Sequence, residues 1–361
     1  MSKIISVGIG LPAFKHRQDD IHDFMQRVFA LDERDKRKLK FLYRQGGIDY
    51  RYSVVPDYGV SADQWQLFHA SENLEPFPSL EQRMQWFKKH AAPLSENAIR
   101  DCLGDFPLEK ITHLITVSCT GMSAPGLDLE LIEMLNLPPT TFRTSVNFMG
   151  CYAAIHAMKI ADAFCRMDKQ ANVLIVCTEL CTLHFQKKPT TDNLTSSLLF
   201  GDGAAAVLMS GDDERNGWKP DHFFSTVSFK GKNDMAWELS SNGFLMTLSG
   251  YIADLIEEDF DKLVGGALQT AGLQKEEITH WCIHPGGKKI LEAVHNSLGF
   301  TNGQLQHSYD VLRDYGNMSS PTILFVLKKI LETIDKNEPA KIMGAAFGPG
   351  LTLETFILSN Q

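Results

Sequence analysis

The sequence predicts an α/β protein built from two halves, and three observations lead to that prediction. Apolar runs typical of strands alternate with helical patterns from residue 111 to residue 209. A comparable order of strands and helices recurs from residue 224 to residue 358. Between these regions, 211–220 is polar and has the composition of a linker. Alternation in both regions is typical of α/β architecture, and we expect halves at 1–212 and 213–361.

The first hundred residues are predicted to hold one strand followed by polar helices. Apolar residues alternate with small ones in 4–11, which indicates a strand. An export signal is the weaker interpretation, because no cleavage-site pattern follows this run. Residues 32–40 are densely charged, and 80–90 has apolar residues at helical spacing.

The later elements follow from the length and periodicity of their apolar runs. Short runs predict strands at 111–117, 173–177, 204–209, 224–229, 280–284, 341–347 and 351–358. Longer runs with helical spacing predict helices at 127–135, 151–165, 252–268 and 321–334. The last two strands are separated by Gly348-Pro349-Gly350, a turn sequence.

The composition is that of a folded globular protein with an acidic surface. The chain has 361 residues, 43% of them hydrophobic and 22% charged. A net charge of −9 argues against general binding to nucleic acid or to an anionic membrane. The seven cysteines form no dense framework, so we interpret them as reduced thiols in a cytoplasmic protein. Cys177 and Cys181 lack a matching Cys or His pair, which argues against a zinc site.

Cys151 is the first candidate for chemistry. It follows Gly150, which allows a tight turn, and it opens a helical run rich in alanine. A cysteine at a helix N-terminus faces the positive end of the helix dipole and unpaired N–H groups, which favour the thiolate. On local sequence alone, a buried and inert cysteine remains the competing interpretation.

Two polar residues further along the chain have the chemistry to serve such a nucleophile. His284 ends a strand just before Pro285-Gly286-Gly287, and Asn317 lies in a turn before the helix at 321–334. Each also has a structural explanation, as a satisfied loop histidine and as a helix-capping asparagine. Together the three residue types form a known set for thiol chemistry. The histidine would keep the cysteine ionised, and the asparagine amide would donate to a developing oxyanion.

The set alone does not identify a reaction, since papain-like proteases use the same residue types in the same order. Their signature around the cysteine is absent, because Cys151 follows Met149-Gly150 and precedes Tyr152. The Gly-x-Ser-x-Gly elbow of lipases is absent from the sequence as well. Gly201-Asp202-Gly203 does not begin a full dinucleotide-binding fingerprint.

Further motifs surround these three residues along nearly the whole chain. In order they are Gly150-Cys151, Leu199-Phe200-Gly201-Asp202-Gly203-Ala204, His284-Pro285-Gly286-Gly287, Tyr315-Gly316-Asn317-Met318-Ser319-Ser320 and Phe347-Gly348-Pro349-Gly350-Leu351. They resemble the type III polyketide synthases, the chalcone and stilbene synthase-like family, in its bacterial form. The resemblance implies a thiolase-type fold, in which two pseudo-repeated halves form a five-layered αβαβα core, normally as a homodimer. It also implies that Cys151, His284 and Asn317 form a catalytic triad.

The resemblance further implies a substrate cavity. Phe200 matches one of two gatekeeper phenylalanines between a CoA tunnel and the cavity, and Met246 stands at the second gatekeeper position. Trp237 stands where plant enzymes keep a glycine, so the cavity is expected to be reshaped. Cys119 lies in a bacterial-type segment that would bring it near Cys151. The remaining cavity residues come from the motifs above: Ser319, Phe347, Gly348 and Pro349.

The implied substrates are coenzyme A thioesters, which need local positive charge on this acidic protein. Lys38 aligns with a CoA-binding position of the family, and Lys40 and Arg44 lie near it in the same basic run. A solvated helix face explains this run equally well. Lys288 and Lys289, after the His284 turn, are a second possibility.

The implied activity is that of an iterative acyltransferase. It would load a starter acyl group from acyl-CoA onto Cys151 and extend it with malonyl-CoA by decarboxylative Claisen condensation. The polyketide would then cyclise to a pyrone, a resorcinol or a similar ring, without a metal or redox cofactor. Three alternatives remain: a fatty-acid-initiating ketoacyl synthase that condenses once, a thioester hydrolase with the same triad, and a non-catalytic acyl-CoA-binding protein. We expect no nucleic-acid or membrane partner.

Overall fold

Two mixed β-sheets and the helices around them make up the fold. The computed structural model describes residues 2–29, 31–71, 73–301, 303–335 and 337–360. The elements up to the middle of the chain are β1 (Lys3–Gly10), β2 (Phe14–Arg17), α1 (Gln18–Val28), α2 (Glu33–Gln45), β3 (Tyr50–Ser53), α3 (Leu80–Leu103), β4 (His113–Ser118), α4 (Leu127–Leu135), β5 (Phe142–Asn147), α5 (Ala153–Met167), β6 (Asn172–Leu180), α6 (Thr191–Leu199) and β7 (Asp202–Ser210). Those that follow are β8 (Lys219–Val227), β9 (Met235–Ser240), β10 (Gly243–Leu248), α7 (Tyr251–Ala271), β11 (His280–Ile283), α8 (Lys288–Ser297), α9 (Gln306–Tyr315), α10 (Thr322–Thr333), β12 (Lys341–Gly348) and β13 (Thr352–Ser359).

The two large sheets share one topology. The first has the order β1-β7-β6-β4-β5, and the second, taken from its other edge, has the order β8-β13-β12-β11. In each sheet the first two pairings are antiparallel and the third is parallel. The second sheet therefore repeats the first, which has β5 as an additional edge strand.

A short sequence repeat accompanies this topology. Residues 111–113 and 278–280 both read Ile-Thr-His and lead into β4 and β11. Thr112 Oγ1 accepts a hydrogen bond from the Asn172 N–H, and Thr279 Oγ1 accepts one from the Lys341 N–H, both at 2.9 Å. The acceptors and donors thus occupy corresponding places in the two halves.

The helices form three layers around the two sheets. α5 and α10 lie between the sheets, in a buried cluster that also contains Ile175 of β6 and Phe356 of β13. α3 and α4 cover the outer face of the first sheet, whereas α7 and α8 cover that of the second. β6 is buried on both faces, because Val173 and Ile175 face the central layer while Leu174 faces the outer one. The predicted αβαβα arrangement is confirmed.

Several element boundaries differ from the prediction. The helix predicted at 80–90 is α3, which begins at a capping box of Ser79 and Gln82 and continues past Pro93 to Leu103. Its packing against β1 explains this length, since a Cβ on Gly8 would lie only 2.2 Å from the Cys102 nitrogen. The strand predicted at 224–229 begins earlier, at Lys219, because it pairs along the whole of β13.

Other elements were missed from sequence. β5 carries mostly polar residues and is an edge strand, so it lacks the apolar run of a buried strand. β9 and β10 form a separate two-stranded sheet. Among the described residues, none of the helices combines the length and hydropathy that crossing a lipid bilayer requires.

Candidate active site

The carboxyl ends of parallel strands bring three cysteines to one edge of the first sheet. β4, β5 and β6 run parallel, and they are followed by Cys119, Cys151 and Cys181. His284 follows β11, which runs parallel to β12 in the second sheet. All four residues line one cavity of about 380 Å³. The carboxyl ends of parallel strands are the usual place for sites in α/β sheets.

Cys151 lies in the tight connection between β5 and α5. Phe148 and Gly150 in this connection have left-handed backbone conformations, with φ angles of 58° and 84°. A Cβ on Gly150 would lie 2.3 Å from Cδ of Pro349, so the close approach of the second half requires glycine here. As predicted, Cys151 lies at the start of a helix, and its half-buried side chain faces the cavity.

Asn317 precedes α10, the other central helix. Its main-chain N–H donates to the Leu199 carbonyl at 2.9 Å, and its carbonyl accepts from the Gly201 N–H at 3.0 Å. The side-chain oxygen accepts from the Ser319 N–H at 2.8 Å, and the amide nitrogen donates to the Gly286 carbonyl at 3.3 Å. One N–H of the carboxamide therefore remains for a group in the cavity.

His284 is 2% exposed and lines the same cavity. Neither of its ring nitrogens has a hydrogen-bond partner among the described residues. Burial lowers the pKa of the imidazole to about 3, so the ring is neutral. A neutral imidazole offers one N–H donor and one acceptor to a bound substrate.

The thiol of Cys151 is also neutral. Its pKa is raised to about 11, mainly by burial and also by the carboxyl group of Glu179, although hydrogen bonds from Ser319 and Asn317 lower it. This direction is opposite to the one predicted from the helix dipole and His284, because loss of hydration makes the largest contribution to the pKa of this thiol. Attack by Cys151 therefore requires loss of the thiol proton, and the acceptor nitrogen of neutral His284 lies in the wall of the same cavity.

Glu179 is fully buried and accepts hydrogen bonds from three residues near the cavity. Its carboxyl oxygens accept hydrogen bonds from the Cys119 N–H at 2.9 Å, from the Thr120 hydroxyl at 3.2 Å and from the Ser320 hydroxyl at 2.9 Å. Burial raises the pKa of Glu179 to about 7. The network joins the end of β4 to the segment before α10, and thus one half of the protein to the other.

The cavity wall contains most of the residues inferred from the family resemblance. Seven of them line it: Cys119, Phe200, Trp237, Met246, Ser319, Phe347 and Pro349. Gly348 does not line it, and a Cβ there would lie 2.4 Å from Cδ1 of Tyr152, so this glycine serves packing. Apolar lining residues such as Phe148, Leu248 and Ile256 were missed from sequence, because an apolar residue of a cavity wall cannot be told from an ordinary core residue by its type.

Trp237 and Met246 face each other across the β9–β10 hairpin. Beyond them is a smaller pocket of about 40 Å³, which shares Cys181, Phe200, Trp237 and Met246 with the main cavity. The ring of Trp237 lies 4.5 Å from that of His184 and is perpendicular to it. The tryptophan thus forms a wall between the two spaces.

Positive charge is found at one end of the cavity. Lys38 of α2 lines it together with Lys288 and Lys289, next to Gln45. Lys40 and Arg44, which were also predicted to bind coenzyme A, are exposed on α2 and are not lining residues. Within the described ranges, no group of three or more His, Cys, Asp or Glu side chains is arranged to hold a metal ion.

Comparison with known proteins identifies relatives along the whole chain. The family model for the N-terminal domain of chalcone and stilbene synthases matches residues 1–213, and the model for their C-terminal domain matches 224–360. A putative chalcone synthase of Bacillus subtilis is 30% identical over 99% of both chains. The alpha-pyrone synthesis polyketide synthase-like Pks18 of Mycobacterium tuberculosis is 30% identical over 97% of this chain and 89% of its own. The probable polyketide synthase 1 of Dictyostelium discoideum is also 30% identical, but the chain spans only 11% of that protein.

Solved structures give the same result. The C-terminal type III polyketide synthase domain of Steely1 from Dictyostelium superimposes with a TM-score of 0.91, at 28% identity and over 99% of both chains. PKS-I from the brown alga Ectocarpus siliculosus also gives 0.91 at 28% identity, over 99% of this chain and 97% of its own. The matched family models and the layered fold together show that this chain belongs to the chalcone and stilbene synthase family of type III polyketide synthases.

Proposed function

We propose that this chain is an iterative acyltransferase in which Cys151 carries the growing acyl chain and His284 and Asn317 promote condensation with malonyl-CoA. The observation that carries the proposal is the convergence of these three side chains on one apolar-walled cavity with lysines at one end. Lysines suit the phosphates of coenzyme A, and the apolar wall suits an acyl chain.

Loading begins with a neutral Cys151 thiol. As its sulfur attacks the thioester carbonyl of a starter acyl-CoA, the thiol proton passes to neutral His284. The tetrahedral intermediate then collapses, the C–S bond to coenzyme A breaks, and the departing thiolate takes the proton back. The result is an acyl-Cys151 thioester and free CoA-SH, with His284 neutral again.

Extension uses the same cavity. The thioester carbonyl of malonyl-CoA accepts hydrogen bonds from the free N–H of Asn317 and from an N–H of His284. These donors stabilise the enolate that forms when the malonyl carboxylate leaves as CO₂, so no strong base is needed. The enolate carbon attacks the acyl carbonyl, and Cys151 leaves as a thiolate that takes a proton from solvent. The lengthened chain on coenzyme A can then be loaded again onto the neutral thiol.

The space around Cys151 favours repeated condensation. A cavity of about 380 Å³ has room for several added two-carbon units, whereas a single condensation needs less. Because a relative at 30% identity is named for alpha-pyrone synthesis, a pyrone is the first product class to seek, ahead of a resorcinol. Single condensation by a ketoacyl synthase and simple thioester hydrolysis remain the competing activities.

The experiment combines mass spectrometry of the protein with product analysis. Wild type incubated with a panel of acyl-CoA starters should gain one acyl adduct on Cys151, and addition of malonyl-CoA should give CO₂ and cyclised polyketides. Cys151→Ala should form no adduct but retain part of the malonyl-CoA decarboxylation, whereas Asn317→Ala should lose decarboxylation by about 100-fold or more. An adduct on another residue, or free acid without consumption of malonyl-CoA, would contradict the proposal.

We propose that the active form is a cytoplasmic homodimer. The exposed apolar residues Met122, Leu129, Met134 and Phe142 lie on or near α4 and the edge strand β5, which supports pairing of two copies there. The seven free thiols support a reducing compartment. Sedimentation of wild type beside Phe142→Arg tests the interface, since the arginine should shift the protein to monomer.

A further inference from the structure

Four consecutive carbonyl groups at the C-terminal end of α6 receive hydrogen bonds from other parts of the chain. The Ser197 carbonyl accepts from the Tyr43 hydroxyl at 3.0 Å, and the Leu198 carbonyl accepts from the Gln18 amide at 2.8 Å. The Leu199 carbonyl accepts from the main chain of Asn317, and the Phe200 carbonyl accepts from Nη1 of Arg51 at 2.6 Å. The last carbonyls of a helix have no partners within it, so external donors decide where such an end lies.

Arg51 and Gln18 form one unit among these donors. Nε of Arg51 donates to the Gln18 side-chain oxygen at 2.9 Å, while the Gln18 amide donates to α6. Both residues are buried, Arg51 with 4% and Gln18 with 5% of their surface exposed. A buried cation at the carboxyl end of a helix also interacts favourably with the helix dipole.

The same unit touches the segment that carries Asn317. A Cβ on Gly316 would lie 2.9 Å from Cγ of Arg51 and 2.8 Å from the Leu199 carbonyl oxygen, so Arg51 packs directly against the residue before Asn317. Asn317 in turn pairs with Leu199 and Gly201, on either side of Phe200. Arg51 therefore contacts both segments of this short pairing, while its hydrogen bonds go to Gln18 and to the Phe200 carbonyl.

We propose that Arg51, with Gln18, is a positioning residue for condensation: it fixes the end of α6 against Asn317, and so sets the Asn317 carboxamide and the Phe200 ring in the cavity. The proposal rests on the function proposed above. Removing Arg51 leaves the Phe200 carbonyl without its donor and loosens the pairing with Asn317. Loading of Cys151, to which the carboxamide contributes only a hydrogen bond at the thiol, is then preserved better than decarboxylation, in which the carboxamide stabilises the enolate.

The first test compares two half-reactions in Arg51→Met and Arg51→Lys. We expect Arg51→Met to form acyl-Cys151 within about threefold of the wild-type rate but to decarboxylate malonyl-CoA about 10- to 100-fold more slowly through kcat, with little change in KM. Arg51→Lys keeps the charge and should recover part of the loss. On an Asn317→Ala background, Arg51→Met should slow decarboxylation by no more than about twofold, because the group it positions is gone.

Arg83→Met is the matched control. Arg83 is 2% exposed and also donates to main-chain carbonyls, those of Pro78 and Leu183, but none of its hydrogen bonds reaches α6 or Asn317. Arg83→Met should lower the melting temperature, as Arg51→Met does. It should leave the ratio of the loading rate to the decarboxylation rate unchanged. The positioning role would be overturned if Arg51→Met lowered the rates of loading and decarboxylation equally. It would also be overturned if the effects of Arg51→Met and Asn317→Ala on decarboxylation were additive.

Hydrogen exchange separates this proposal from the proposed function. In Arg51→Met the amides of 197–201 and 315–320 should exchange faster together, while those of β11 stay as in wild type. This readout needs no substrate, so it holds even if wild type fails to decarboxylate malonyl-CoA, a result that would count against the function alone. Unchanged exchange in both segments would overturn the positioning role.

Discussion

The sulfur of Cys119 accepts a hydrogen bond from the main-chain N–H of Gly150 at 3.1 Å. This contact joins the residue after β4 to the residue before Cys151, so one cysteine helps to hold the loop that carries the other. Cys119 is itself a poor nucleophile, because burial and the nearby Glu179 raise its pKa well above the ordinary range. We therefore assign it a structural contact in the cavity wall.

The contact predicts different results for two substitutions of Cys119. Cys119→Ser keeps an acceptor for the Gly150 N–H and should load Cys151 at nearly the wild-type rate. Cys119→Val fills similar space without an acceptor, so it should lower the free energy of unfolding by about 1 kcal/mol and slow loading. Chemical denaturation and intact-protein mass spectrometry measure the two effects. Identical behaviour of the two variants would mean that the hydrogen bond has no role.

The neutral state of Cys151 and His284 predicts a characteristic pH dependence of alkylation. Because burial raises the pKa of Cys151 to about 11, the thiolate fraction in the free protein should rise about tenfold per pH unit. The rate of reaction with iodoacetamide should thus increase about 100-fold from pH 7 to pH 9. Cys151→Ala supplies the background from the other thiols. A rate that is already constant above pH 6 would indicate a thiolate–imidazolium pair instead.

That Cys151, His284 and Asn317 line one cavity could be predicted from sequence, because each lies in a local motif beside a recognisable strand or helix. Their ionisation could not, since desolvation depends on atoms from all parts of the chain. The hydrogen-bond partners of the carbonyl groups at the end of α6 could not be predicted from sequence either. Arg51 and Gln18 act there through carbonyls about 150 and 180 positions away in sequence, and no periodicity indicates such partners.

The wall formed by Trp237 predicts a change in starter preference. Trp237→Ala should join the main cavity to the pocket of about 40 Å³ behind it, and so allow longer acyl chains. We expect kcat/KM to shift toward longer acyl-CoA starters by about tenfold, the gain expected from burying two methylene groups. Leu239→Ala, on the same strand but 49% exposed, is the control and should leave the preference unchanged. A uniform fall for all chain lengths would contradict a selecting role.

Buried Glu179 predicts a pH-dependent contribution to stability. Burial raises its pKa from 4.5 to about 7 in the folded state, so between these pH values the folded protein holds a proton that the unfolded chain has lost. Stability from this group therefore falls as pH rises through this window, by an amount on the order of 3 kcal/mol, and is constant above it. Glu179→Gln cannot titrate, so its stability relative to wild type should increase from pH 4.5 to pH 7, as measured by urea denaturation.

Ser320→Ala provides the matched variant for this prediction. The Ser320 hydroxyl donates to Glu179 and lowers its pKa, so its removal should move the transition to higher pH. In the double variant with Glu179→Gln, Ser320→Ala should have the same effect on stability at every pH, because the titrating carboxyl is absent. A stability difference between Glu179→Gln and wild type that does not vary with pH would show that Glu179 is ionised throughout, and that its three hydrogen bonds fully offset the cost of burying the charge.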